Sequence, residues 1–215
     1  MQSQPICQLE QVTKGYAGHV VLNQISLTVD EGEMVAITGR SGSGKTTLLN
    51  IMGMLENPDE GTVRLFGEER PRIHSRKANR ILRTKLSYLF QNYALIDHAT
   101  VNENLKIPLI YAKKTKKEKQ ALKTEALKKV GLNISLKQKI HELSGGEQQR
   151  VAIARILLKP CDLILADEPT GLLDADNRGE ILRILKDLNQ ENKTIIIVTH
   201  DPVVAEMCDR RISLS

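Results

Sequence analysis

The stretch Gly39-Arg40-Ser41-Gly42-Ser43-Gly44-Lys45-Thr46-Thr47 restricts the fold more than any other part of the chain. It satisfies the phosphate-binding pattern G-x-x-x-x-G-K-[ST] without a mismatch. Ahead of it runs Met34-Val35-Ala36-Ile37, apolar throughout and short enough for a buried strand. Behind it, Thr46-Thr47-Leu48-Leu49-Asn50-Ile51-Met52 reads as the opening turns of a helix. Strand, glycine-rich turn and helix is the context the pattern requires. Glycine lets the backbone curl so that successive N–H groups face inward, and the helix start adds the positive end of its dipole. Lys45 is expected to reach the β- and γ-phosphates of a nucleoside triphosphate, and the Thr46 hydroxyl to ligate Mg²⁺.

Two further aliphatic runs, Leu163-Ile164-Leu165-Ala166 and Ile195-Ile196-Ile197-Val198, show no polar alternation. That is the signature of parallel strands covered on both faces. Residues 175–190 between them make an amphipathic helix. Residues 7–12 and 20–29 alternate apolar and polar side chains, which predicts antiparallel strands. Asp30-Glu31-Gly32-Glu33 turns the chain into the phosphate-loop strand, and Asn57-Pro58-Asp59-Glu60-Gly61 breaks it before a strand over 62–66. Residues 75–84 read as a charged helix, and 86–90 as a short apolar strand ending at Gln91. From 101 to about 159 the pattern is helical, with Ala121-Leu122, Ala126-Leu127 and Val130 on one face and with Pro108 and Gly131 as punctuation. The expected fold is α/β. A mostly parallel sheet carries an N-terminal antiparallel β portion and a helical subdomain inserted at about 92–160, within one domain of 215 residues.

Composition narrows the setting. No stretch approaches the roughly 20 apolar residues of a membrane span, and Met1-Gln2-Ser3-Gln4-Pro5 lacks the charged and apolar regions of a signal peptide, so a cytoplasmic location is expected. Cys7, Cys161 and Cys208 are widely separated and read as small apolar fillers in a reducing compartment. Much of the net charge of +5 lies in Lys113-Lys114-Thr115-Lys116-Lys117-Glu118-Lys119, which reads as a solvated helix end, so no nucleic-acid partner is expected.

The chemistry sits at the carboxyl ends of the buried strands, just beyond which open α/β sheets bind their ligands. After Ile37 comes the phosphate loop, after Ala166 come Asp167-Glu168, and after Val198 come Thr199-His200. Asp167 is expected to serve Mg²⁺, and Glu168 to take a proton from an attacking water held in line with the γ-phosphate. His200 is placed to hydrogen-bond that phosphate, and Gln91 to touch Mg²⁺ or the water. In Leu143-Ser144-Gly145-Gly146-Glu147-Gln148-Gln149-Arg150, Ser144 and Glu147 form a capping-box pattern that starts a helix. The paired glycines leave its N-terminus bare, which suits an anion.

Together these stretches resemble the ATP-binding subunit of an ATP-binding-cassette (ABC) transporter. The family's motifs occur in order: phosphate loop, Q-loop Gln91, signature at 143–150, Walker B ending at Asp167 with Glu168, D-loop around Leu173-Asp174, and switch His200. The resemblance implies that Tyr16 stacks on adenine and that Thr47 helps hold phosphate. Ser144, Gly145, Gly146 and Glu147 are implied to contact the γ-phosphate region in trans, with Asp174 at the same interface. Two subunits would then pack head to tail around two ATP, as a homodimer in the ATP-bound state. A separate transmembrane permease would dock beside Gln91 and keep the subunit at the inner face of the cell membrane.

Within the family, residues 87–96 and Glu168-Pro169-Thr170-Gly171 resemble subunits of macrolide, lipoprotein and antimicrobial-peptide exporters. Ala94-Leu95-Ile96-Asp97 and Lys139-Ile140-His141-Glu142 look most like bacteriocin-export ATPases. Two departures set the chain apart from the lipoprotein and macrolide groups. No proline precedes the signature, and Asp97 stands where those groups often carry proline. The sequence stops at Ser215 without a domain beyond the switch histidine, which the resemblance associates with exporters rather than importers. Two other readings stay open: a mechanotransducing or sensory complex that moves no solute, and a soluble ABC ATPase linked to nucleic acid.

Overall fold

The computed structural model describes residues 5–214. Residues 1–4, which belong to the stretch expected to carry no signal sequence, lie outside the described residues. Two sheets organise the chain. The first is antiparallel, with β1 (Pro5–Tyr16), β2 (His19–Asp30), β4 (Glu60–Leu65) and β5 (Glu68–Glu69) in the order β2-β1-β4-β5. The second contains β3 (Met34–Thr38), β6 (Leu86–Leu89), β7 (Leu163–Asp167), β8 (Thr194–Thr199) and β9 (Arg210–Ser213) in the order β6-β7-β8-β3-β9. Every pairing in this second sheet is parallel.

Strand alternation places the core. Ile164, Ala166, Ile195 and Ile197 face one side of the parallel sheet, among residues of the helical region. Leu163, Leu165, Ile196 and Val198 face the other, with the antiparallel sheet and α1 (Lys45–Met52). All eight side chains are fully buried, and the seven larger than Ala166 contribute about 1.5–3 kcal/mol apiece relative to exposure. Because successive residues point to opposite faces, both faces must be apolar, which explains the unbroken aliphatic runs.

The remaining helices are α2 (Arg76–Thr84), α3 (Val101–Lys106), α4 (Lys116–Lys129), α5 (Gly145–Leu157), α6 (Ala175–Gln190) and α7 (Pro202–Glu206). The helical pattern expected from 101 to about 159 is broken at the expected punctuation, Pro108 and Gly131, and extended stretches add to these breaks. Only α3, α4 and α5 are α-helical there, with two short 3₁₀ turns, and extended or turn backbone fills 112–115 and 132–139. Pro108 sits at the first 3₁₀ turn, and Gly131, at φ 71, follows the end of α4. The sequence pattern does not announce α7 or β9. Among the described residues no helix is long and apolar enough to cross a membrane.

Candidate nucleotide site

The strand order brings the predicted groups into one row. The carboxyl ends of β6, β7, β8 and β3 are neighbours, and Gln91, Asp167-Glu168, His200 and the phosphate loop follow them respectively. Register fixes this: Asp167 pairs with Val198, and Thr38 with Thr199.

The phosphate loop is shaped by close approach. Gly44, at φ 85, occupies the left-handed region, and a Cβ there would stand 2.7 Å from Leu22 Cδ2 in β2. A Cβ on Gly39 would meet Ser43 Oγ at 2.5 Å and the Leu214 carbonyl at 2.7 Å. Lys45 is buried, and its ammonium donates to the carbonyls of Gly39 (2.9 Å) and Arg40 (3.0 Å). That curls the loop around its own lysine. Gly44 supplies α1 with no side-chain cap, and the first turn holds no acid. Helices α2 through α7 each take a side-chain N-cap, from Ser75, Thr100, Thr115, Ser144, Asp174 and Asp201. The start of α1 is thus bare where every later α-helix is capped, leaving its N–H groups for an external acceptor. Ser43 Oγ is buried without a hydrogen-bond partner, a second group that awaits one.

The Thr46 hydroxyl donates to Asp167 Oδ1 at 3.2 Å. Burial pushes the Asp167 carboxyl above its ordinary range and the charge of Glu168 adds to this, while Thr46 and Lys45 oppose it. A hydroxyl and a desolvated carboxylate side by side are hard oxygen donors of the kind that would hold Mg²⁺. Among the described residues no three His, Cys, Asp or Glu side chains cluster around a metal position.

Glu168 sits at φ 42, outside the ordinary regions for a residue with a side chain. Its N–H donates to the Val198 carbonyl (3.0 Å), and its own carbonyl accepts from Gly171 N–H (3.0 Å). Such a conformation costs about 1–3 kcal/mol and persists only where the surroundings enforce it. The carboxylate accepts from Thr199 Oγ1 (3.1 Å) and His200 N–H (3.1 Å), and it lies 2.7 Å from His200 Nδ1. His200 therefore meets the carboxylate rather than standing free. Gln91 is exposed beside the same turn, its amide nitrogen 3.8 Å from where a Cβ on Gly171 would lie.

The predicted capping box at the start of α5 is present: Glu147 N–H donates to Ser144 Oγ (3.3 Å), and Ser144 N–H to Glu147 Oε2 (2.8 Å). Among the described residues no hydrogen bond joins the 144–147 turn to the phosphate loop. Asp174 is occupied as the N-cap of α6, accepting from Asn177 N–H at 2.9 Å, which holds its carboxyl below the ordinary range. Tyr16 closes β1 with its ring 43% exposed and its hydroxyl bonded to Glu56. Burial, then that bond, raises its pKa, with the Thr47 hydroxyl opposing.

A profile of the ABC transporter family matches residues 22–171, about 70% of the chain and every part of this site except its ends. The chain belongs to the ABC transporter family. Within it the chain is an ABC-type ATPase cassette. The macrolide export ATP-binding/permease protein MacB of Burkholderia pseudomallei (strain 1710b) is 41% identical over 215 residues, covering 98% of this chain and 33% of that protein. MacB of Burkholderia lata is 43% identical over 216 residues, covering 99% and 31%. The chain thus spans about a third of the curated relatives it matches. Among solved structures, the dimeric post-hydrolysis state of the ATP-binding cassette MJ0796 bound to ADP and Pi superposes with a TM-score of 0.89 at 38% identity, covering 97% of this chain and 94% of that one. A dimeric structure of MJ0796, described as a bacterial ABC transporter cassette, gives 0.89 at 40% over the same shares.

Three residues of this ABC cassette escape a reading of the sequence alone. Thr199 bonds Glu168 and also accepts from Asp201 N–H (3.0 Å). Gln149, fully buried in α5, donates to the Pro169 carbonyl at 2.6 Å, directly after Glu168. Asn177 packs so tightly on α5 that a Cβ on Gly146 would fall 2.0 Å from its Oδ1. Only Gln149 leaves a signal, as a polar residue on an otherwise apolar helix face.

Proposed function

We propose that this chain binds and hydrolyses ATP at a site shared by two copies, and that this drives a separate transmembrane permease exporting solute. The row of phosphate loop, Asp167, Glu168 and His200 along adjacent strand ends carries the reading. The triphosphate lies on the bare start of α1, with Gly39 through Thr47 around it, and Lys45 exchanges its loop carbonyls for phosphate oxygens. Tyr16 takes the adenine. Thr46 and Asp167, with Gln91 beside them, hold Mg²⁺, which neutralises charge on the phosphate oxygens. Glu168 accepts the proton of a water aligned with the γ-phosphate, and Thr199 and His200 fix its carboxylate for that transfer. Ser144, Gly145, Gly146 and Glu147 of the second copy close the site, and Asp174 lines the same interface. The dimeric MJ0796 structures, one of them with ADP and Pi, support this arrangement.

Residues 92–160 act as the helical subdomain. Its exposed Ile107, Ile110 and Tyr111 offer apolar surface to a cytoplasmic helix of the permease. On this reading the cassette works at the cytoplasmic face of the membrane. The two relatives named above are macrolide export proteins, which supports a macrolide-type cargo despite the departures at Asp97 and ahead of the signature. An antimicrobial-peptide cargo rests on the resemblance at 94–97 and 139–142 alone.

Glu168→Gln keeps the side chain's shape and removes the proton acceptor. Phosphate release should fall by roughly 10²-fold or more while ATP still binds. Near-normal turnover would sink the assignment.

A further inference from the structure

We infer that Glu56, with Lys14 and Asp59 behind it, is a positioning residue that locks Tyr16 as the platform for the nucleobase. This rests on the reading of Tyr16 as the stacking residue. The ring stands at the tip of a hairpin, where Ala17 (φ 47) and Gly18 (φ 86) reverse the chain. At 43% exposure, packing alone leaves it free to swing. Polar contacts from one loop remove that freedom. The Tyr16 hydroxyl donates to Glu56 Oε1. The Lys14 ammonium lies over the ring, 5.4 Å from its centroid, and so takes one face. That ammonium is held in turn by Asp59 Oδ1 at 2.7 Å and Glu56 Oε1 at 3.8 Å. Asp59 Oδ2 accepts from Gly15 N–H at 2.8 Å, pinning the backbone beside the ring. The Arg70 guanidinium donates to the Glu56 carbonyl (3.2 Å) and to Asn57 Oδ1 (2.8 Å), which keeps the loop itself in place.

The loop carrying Glu56 and Asp59 directly follows α1, whose opposite end is the phosphate site. One helix therefore sets both the triphosphate and, through Glu56, the angle of the base platform. A half-exposed flat ring with an ammonium near one face can stack any purine. The device thus adds affinity for nucleotides without telling adenine from guanine. Holding the ring beforehand removes an ordering cost from binding. Glu56, Lys14 and Asp59 make no hydrogen bond to the phosphate loop among the described residues, so Glu56→Ala acts on ligands that carry a base; only the Tyr16 hydroxyl itself also meets Thr47 of that loop.

The test is equilibrium binding of ATP, GTP and inorganic tripolyphosphate to the full chain, for wild type, Glu56→Ala, Tyr16→Phe and Tyr16→Ala. Tyr16→Phe keeps the stacking face and loses the hydroxyl's bond to Glu56 together with its contact to Thr47, so Glu56→Ala is the variant that isolates the anchor. Glu56→Ala and Tyr16→Phe should each raise Kd for ATP and GTP by a similar factor, roughly 3- to 10-fold. Tripolyphosphate binding should not change, and the two substitutions together should be no worse than either alone. If Tyr16→Ala weakens ATP binding and the other two variants do not, the inference falls while the base-stacking reading survives. If Tyr16→Ala has no effect, the base-stacking reading falls with it. A loss extending to tripolyphosphate would show a general structural effect and overturn the inference.

Discussion

Replacing Gly146 with alanine tests the packing that joins the signature helix to the D-loop helix. A Cβ at this position would stand 2.0 Å from Asn177 Oδ1, 2.4 Å from its Cγ and 3.1 Å from its Cβ, so Asn177 must leave its rotamer. It is not free to do so. Its amide nitrogen donates to both carboxylate oxygens of Asp174, at 2.8 and 3.1 Å, and Asp174 in turn caps α6. Overpacking of this kind costs about 1–3 kcal/mol. Alanine in place of glycine in a helix returns up to about 1 kcal/mol. With that return taken in full, the balance is a net loss of up to about 2 kcal/mol, or a Tm lower by up to about 8 °C at this chain length. Asn177→Ala removes the obstruction, so the double variant should recover most of the loss, with a coupling energy of about 1 kcal/mol or more. Thermal denaturation of the four proteins without nucleotide measures this. A Gly146→Ala variant more stable than wild type, with the two substitutions simply additive, would refute the packing argument.

Two further outcomes concern the buried titratable groups. Burial raises the Asp167 carboxyl. A raised folded-state value means that this group's stabilisation is complete below the ordinary carboxyl range and is lost as pH rises through the folded value, so at neutral pH the ionised carboxylate is a cost. Asp167→Asn should therefore raise the Tm of the nucleotide-free protein at pH 7, by a margin that shrinks toward pH 4, while abolishing the extra stabilisation by Mg-ATP; an unchanged Tm at pH 7 would count against it. Burial pushes the Cys7 thiol up to about 12, and Cys208, with Asp209 adding, to about 11. Alkylation near pH 8 should be slow in the native protein and complete after denaturation, and rapid native labelling of Cys7 would contradict the fold around β1.

The sequence reveals most where structure is local. The turn at 39–47 and the capping box at Ser144 and Glu147 depend on residues within a few positions of each other, and both stand as expected. The runs 163–166 and 195–198 are legible because a strand buried on both faces has no polar alternation to confuse it. β9 is not, because an edge strand with Arg210, Arg211 and Ser213 exposed carries little hydrophobic pattern. In the helical region the breaks at Pro108 and Gly131 are legible, whereas the extended backbone at 112–115 and 132–139 holds no proline or glycine to mark it. The contacts that complete the site, Thr199 to Glu168, Gln149 to Pro169 and Gly146 against Asn177, join residues distant in the chain, and no spacing rule reaches them.

The central claim is that the phosphate loop works only when a second copy closes over it. The most direct measurement is the molar mass in solution of Glu168→Gln, with and without ATP and Mg²⁺, by sedimentation or light scattering. Slowed hydrolysis should hold the closed state, so the account predicts a shift from monomer to dimer at saturating ATP and its loss when Ser144→Arg fills the signature turn. A variant that binds ATP fully and remains monomeric would contradict it.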